Sequence, residues 1–191
     1  MKKKLNLHRL ALEELAAIIS EKLKEHEIDS ILVGGACVSI YSQNRYQSYD
    51  LDYVIYEDIK KVAKALKELN FEKKGKYFIN PNCKYYVELV SPPVFVGNEP
   101  IHHFENHRTS LGTIKMLTPT DSVKDRLASF YHWNDRQSLD QAIAICLECP
   151  KKISISKIKK WSEKENHLQK FDVFLQKLKE AKLSWNLKTK W

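Results

Sequence analysis

The sequence predicts an α+β fold, and three observations carry that prediction. Short β-branched or alternating runs stand at 28–33, 49–56, 77–79, 85–90 and between 101 and 117. Stretches of helical period separate or follow them, and turn residues rather than long linkers make the joins. Past residue 118 the pattern is helical, so the expected division is an α/β core over 1–117 and a helical region over 118–191, Lys-rich after 150. With 191 residues, 43% of them hydrophobic and 29% charged, the chain has apolar material for a core, which disfavours disorder, collagen and low-complexity fibres.

Leu7, Leu10, Leu15, Ile18, Ile19 and Leu23 recur at helical spacing with Glu13, Glu14, Glu21 and Lys22 outward, so an amphipathic helix is expected there. Ile28 to Val33 is an apolar run stopped by Gly34-Gly35, after which Ala36 to Tyr41 begins a second helix. In 49–56, Asp50, Asp52, Val54 and Tyr56 alternate with Leu51, Tyr53 and Ile55, the period of a strand. Asp58 is placed to cap a helix through Leu69 whose inner stripe is Ile59, Val62, Ala63, Leu66 and Leu69. Asn80-Pro81-Asn82 turns a hairpin between Tyr77-Phe78-Ile79 and the run Tyr85 to Val90, and Pro92-Pro93 closes it.

A second antiparallel pair, turning near Gly112, fits 101–117. Pro119-Thr120-Asp121 opens a helix with Val123, Leu127 and Phe130 inward, and Ser138 is the expected cap of the next, through Leu147. After Pro150, Ile158, Trp161, Leu168, Phe171, Phe174, Leu175 and Leu178 form an apolar seam. Ser162 with Glu165 has capping-box spacing, which expects a break between two helices near Trp161.

The formal net charge is +8, and residues 151–191 hold all of it, with 12 Lys against 4 acids. Such a patch attracts nucleic acid, an acidic protein or only solvent, because charge specifies attraction and not a partner. Apolar stretches fall short of the ~20 residues of a membrane span, and the N-terminal lysines lead into charged residues rather than a signal core. No membrane and a cytoplasmic location are expected. Cys146-x-x-Cys149 ends a helix before Pro150, which favours two thiols facing a core over a redox or zinc pair. His103 and His107 share a strand face with Glu105 by period two, without the geometry for a fourth zinc ligand.

Asp50 and Asp52 carry the chemistry. One residue apart on a strand, they project from the same face, where two carboxylates repel unless a cation compensates. A divalent metal, Mg²⁺ first, answers that need. Glu88 is a charged residue inside the apolar run Tyr85 to Val90, and a third carboxylate joins the pair if the two strands are neighbours. Gly34-Gly35, between strand and helix, leaves backbone N–H groups unobstructed for phosphate oxygens, although neither a P-loop nor a dinucleotide fingerprint is present.

The succession Val33-Gly34-Gly35-Ala36, then Arg45-x-x-Ser48-x-Asp50-Leu51-Asp52, resembles the nucleotidyltransferase superfamily of DNA polymerase beta and the aminoglycoside nucleotidyltransferases. It is similar above all to the branch of the AbiEii-type toxins of bacterial abortive-infection systems. The resemblance continues in Leu117 to Arg126 and in Asp135-Arg136 to Asp140-Gln141-Ala142. It implies a small mixed β-sheet flanked by helices, a C-terminal helical segment, and two Mg²⁺ ions held by Asp50 and Asp52 with Glu88 completing the site. It further implies a nucleoside triphosphate substrate bound by Gly34, Gly35 and Ser48, with Lys124, or Arg126 as runner-up, neutralising the triphosphate. The acceptor is a hydroxyl on RNA, tRNA among them, on protein or on a small molecule, and the toxin branch adds an antitoxin protein as partner. Ala36 stands where many relatives carry Ser or Thr, and Glu88 replaces the commoner third Asp. The alternative is a catalytically degenerate module of the same fold that binds RNA or an acidic protein through its basic C-terminal helices.

Overall fold

The computed structural model describes the backbone of residues 7–188 and the side chains as far as Trp185. Leu7–Arg9 is a single 3-10 turn, and α1 starts only at Leu12, running to Glu25. Glu13 and Glu14 then fall in the first turn, at the positive end of the helix dipole, and Glu14 Oε2 accepts from the Ala11 N–H at 2.8 Å. That shortens the helix expected from Leu7. β1 (Ser30–Val33) leads straight into α2 (Gly34–Tyr41), so the diglycine is the first turn of the helix and not a linker before it. β2 (Asp50–Ile55) follows, then α3 (Ile59–Lys67), capped by Asp58, whose Oδ1 accepts from the Lys60 N–H at 2.7 Å.

β3 (Glu72–Lys74), β4 (Tyr77–Ile79) and β5 (Tyr86–Val90) form a meander, and β6 (Phe95–Val96) with β7 (Glu99–Pro100) makes a separate two-stranded ribbon. β8 (Phe104–Thr109) and β9 (Gly112–Leu117) are the second hairpin. The main sheet runs β3-β4-β5-β2-β1-β9-β8, with β5/β2 and β1/β9 parallel and the other pairs antiparallel. This is the mixed sheet flanked by helices that the resemblance implies. Leu51 and Tyr53 on β2 are fully buried, and α1 covers their face: Tyr53 Oη donates to the Ala16 carbonyl at 2.9 Å and shares a hydrogen bond with Ser20 Oγ at 3.1 Å. Period two then turns Asp50 and Asp52 to the other face, toward the start of α2.

α4 (Pro119–Trp133), α5 (Arg136–Glu148), α6 (Ile155–Lys164) and α7 (Leu168–Lys188) complete the chain, and their apolar faces join the sheet in one buried cluster from Leu7 to Leu178. Among the described residues no helix is long and apolar enough to cross a membrane.

Local packing overrides several of the sequence expectations. The cap of α5 is Asp135, whose Oδ1 accepts from the Gln137 and Ser138 N–H groups at 2.9 and 3.3 Å; Ser138 lies inside the first turn and donates to Asp135 Oδ2 at 2.7 Å. The break between the last two helices falls at Glu165–His167, where Asn166 takes φ +61, so Ser162 caps nothing and instead donates to the Ile158 carbonyl inside α6 at 2.9 Å. Ile59 and Leu168 are 42% and 38% exposed because each is the first residue of its helix, beyond the packed face. His103 precedes β8, so it shares no strand face with His107, which pairs with Glu13 on α1. The Cys146 thiol is buried and pushed up to about 12 by desolvation, and Cys149 donates to the Tyr41 carbonyl at 3.4 Å, the core-facing arrangement expected of them.

Candidate active site

Three elements set the geometry. β2 is flanked by β1, antiparallel with Val33 opposite Asp52, and by β5, parallel with Glu88 opposite Asp52. Neighbours in register share a face, so Glu88 projects on the same side as Asp50 and Asp52. Desolvation first, then the charges of Asp50 and Glu88, push the Asp52 carboxyl up to about 7, and Arg126 works in the opposite direction. The three carboxylates therefore interact.

Gly34 and Gly35 lie directly against them. Gly34 takes φ +67, and a Cβ added there would collide with Asp52 Oδ2. A Cβ on Gly35 would stand 2.8 Å from Ser48 Oγ and 3.8 Å from Asp50 Oδ1. Only glycine allows the helix start to approach the carboxylates this closely. Val33 at the N-cap offers no side-chain hydrogen bond to the first turn of α2.

Ser48 is buried, its N–H donating to Ser39 Oγ at 2.8 Å, and its hydroxyl donates to Asp50 Oδ1 and to the Asp50 carbonyl at 3.3 Å. It orients Asp50. Glu88 Oε1 accepts from Lys76 Nζ at 2.9 Å, a cation at the β3–β4 turn that sequence reasoning missed because only strand order brings it there. Arg126 donates from Nε and Nη2 to Asp125 Oδ2, at 3.1 and 2.5 Å, and from Nη1 to Gln141 Oε1 at 3.4 Å. Asp125 was also missed, and it lines a pocket of about 300 Å³ with Gly34, Asp52, Pro93 and Phe95. Lys124 is not brought to this pocket: nearly buried, it pairs with Asp121 at 3.1 Å and Glu99 at 3.5 Å in a different cleft. Arg45, too, is turned away, onto Glu148 at 2.5 Å and over the Trp185 ring at 3.7 Å.

Among the described residues no three His, Cys, Asp or Glu side chains stand close enough to close a metal shell by themselves. The donor set still suits Mg²⁺, which usually takes one or two carboxylates and completes its octahedron with water and substrate phosphates. Asp50 and Asp52 are such a pair, and desolvation together with the repulsion between neighbouring carboxylates holds the Asp52 carboxyl up.

No family model and no curated protein matches the chain. Among solved structures, the crystal structure of an antigenic nucleotidyltransferase-like protein from Paracoccidioides brasiliensis is similar with a TM-score of 0.52 at 17% identity, over 70% of this chain and 74% of that one. The solution structure of the antibiotic-resistance factor ANT(2'')-Ia gives a TM-score of 0.47 at 10% identity, over 91% of this chain and 97% of that one. At 17% identity a likeness speaks for architecture alone, so the chain shares the mixed α+β fold of a nucleotidyltransferase-like protein.

Proposed function

We propose that this protein is a metal-dependent nucleotidyltransferase that moves a nucleoside monophosphate from a nucleoside triphosphate to an acceptor hydroxyl. The observation that carries the reading is the same-face pair Asp50 and Asp52 with the side-chain-free start of α2 against it and Glu88 in register. Asp50 and Asp52 would hold the Mg²⁺, two ions in the reaction class the resemblance implies, and Ser48 fixes the orientation of Asp50. When bound, the metal supplies Lewis-acid stabilisation of the attacking and leaving oxygens.

The uncapped N–H groups of α2, at the positive end of its dipole, receive triphosphate oxygens. Glu88 takes the proton of the acceptor hydroxyl, directly or through a water; the acceptor oxygen bonds to the α-phosphorus, the bond to the β-phosphate bridge breaks, and pyrophosphate leaves. Lys76 is 63% exposed on its side chain and free to swing from Glu88 as the substrate arrives. Of the two cations the resemblance points to, Arg126 suits this pocket, since its charge is felt at Asp52, whereas Lys124 serves another cleft. The acceptor class is RNA, protein or a small molecule, and the AbiEii-type resemblance adds a toxin role opposed by an antitoxin protein.

The test is incubation with each α-labelled nucleoside triphosphate and Mg²⁺ against tRNA, cell protein and small hydroxyl compounds. Label transferred with pyrophosphate release, reduced by about a hundredfold or more in Asp50→Asn as expected from losing several kcal/mol of charge stabilisation, supports the reading. Failure to label any acceptor class with any triphosphate would overturn it.

A further inference from the structure

A cleft of about 790 Å³ lies on the other side of the start of α4 from the carboxylates: Lys124 lines it, while the next residue, Asp125, lines the pocket of Asp52. Lys157, Lys160 and Lys164 line it, at i, i+3 and i+7 of α6, so they share a face and stand about 4.5 and 6 Å apart along the axis. All three are exposed, and among the described residues none makes an ion pair. Of the cleft's three acids, Glu105 pairs with Lys152 at 3.1 Å while Glu99 and Asp121 share Lys124, so five lysines outweigh the acids and leave a formal net charge of +2. Unsatisfied positive charge is thus concentrated on α6. His102 and His103 line the same cleft, both exposed and, among the described residues, without a hydrogen-bond or ion-pair partner.

We propose that this cleft binds a single-stranded nucleic-acid segment, its phosphates on Lys157, Lys160 and Lys164 and its bases stacked on His102 and His103. A row of point charges along one helix face tracks a repeating phosphate backbone, and flat rings in the same cleft give bases a surface to stack on. An acidic peptide would use the lysines but leave the two imidazoles without a function. The site stands apart from the transfer reaction, because it contains none of Asp50, Asp52 or Glu88.

The experiment is fluorescence anisotropy on the full chain with a labelled twelve-nucleotide oligouridylate, the matching oligothymidylate, and a glutamate peptide of equal charge. Three phosphate contacts on a single strand predict that raising salt from 50 to 200 mM weakens binding about twentyfold. Lys157→Gln/Lys160→Gln/Lys164→Gln removes most of that salt dependence and at least tenfold of the affinity, with an unchanged melting midpoint because all three side chains are exposed. His102→Ala/His103→Ala weakens binding about tenfold, the loss of about one stacked base. Asp50→Asn/Asp52→Asn binds as the parent does, which separates this site from the carboxylates even if no nucleotidyl transfer is found. Tighter binding of the ribo-oligomer identifies RNA through its 2′-hydroxyls, and equal binding identifies single strands of either sugar. No oligonucleotide binding, a lysine variant that binds like the parent, a histidine variant without effect, or a glutamate peptide that binds as tightly would each overturn the proposal.

Discussion

Asp52 holds its proton up to about pH 7, against an ordinary value of 3.8, because it is desolvated and faces Asp50 and Glu88. The folded protein therefore binds a proton that the unfolded chain has already released, so stability of the metal-free protein falls as pH rises between about 4 and 7. This group contributes up to about 1.4 kcal/mol per pH unit over that window, and nothing more above it. Urea unfolding at pH 5 and pH 8 is expected to show the loss in the parent and a flatter profile in Asp52→Asn. Mg²⁺ is expected to raise stability at pH 8, where its carboxylate ligands are ionised, and much less at pH 5. A parent whose stability climbs over the same range would contradict the assignment. The shared face of Asp50 and Asp52 was legible in the sequence because strand period is fixed at two. Asp125 was not, because it sits on a helix 73 residues after Asp52 and only packing brings them to one pocket.

Elements reveal where local signals suffice and where they do not. α3 begins at its Asp58 cap and α4 after Thr118, whose Oγ1 accepts from the Asp121 N–H at 3.1 Å, since caps act within one turn. β3 was missed because Glu72-Lys73-Lys74 is exposed and shows no apolar alternation; it exists only as the edge partner of β4. The β6–β7 ribbon was missed for a related reason, being anchored by distant groups rather than by its own pattern. Its turn is held by Glu165 at the end of α6, whose carboxylate accepts from the Asn98 N–H at 2.8 Å and from Nδ2 at 2.9 Å with its side chain 2% exposed. Trp161 Nε1 adds a donor to the Val96 carbonyl at 3.2 Å. Glu165→Ala is expected to cost about 1–3 kcal/mol, the loss of the two charge-assisted hydrogen bonds that tie the exposed Asn98 turn to the buried carboxylate. Denaturant unfolding measures it, and a change below about 0.5 kcal/mol would show that the ribbon is held by other contacts.

On the scale of the whole molecule, charge and chemistry are divided. The near-neutral first 150 residues carry the three carboxylates and the diglycine, while the last 41 carry the whole positive excess. One continuous core joins the two parts, with Phe171, Phe174 and Trp161 from the basic helices buried beside α4 and α5. Strand order decides how they meet: β5 lies beside β2 because a parallel crossover carries the chain through α3 and the β3–β4 meander, and it is this crossover that sets Glu88 against Asp52. The proposed nucleotide site is built on Asp50 and Asp52 beside this crossover. Calorimetric titration of the protein with each of the four nucleoside triphosphates, with and without Mg²⁺, tests it most directly. Mg²⁺-dependent binding of at least one triphosphate is expected, abolished in Asp50→Asn/Asp52→Asn and retained in Lys157→Gln/Lys160→Gln/Lys164→Gln; binding that ignores Mg²⁺ and survives loss of both carboxylates would rule out a nucleotide site on these two residues.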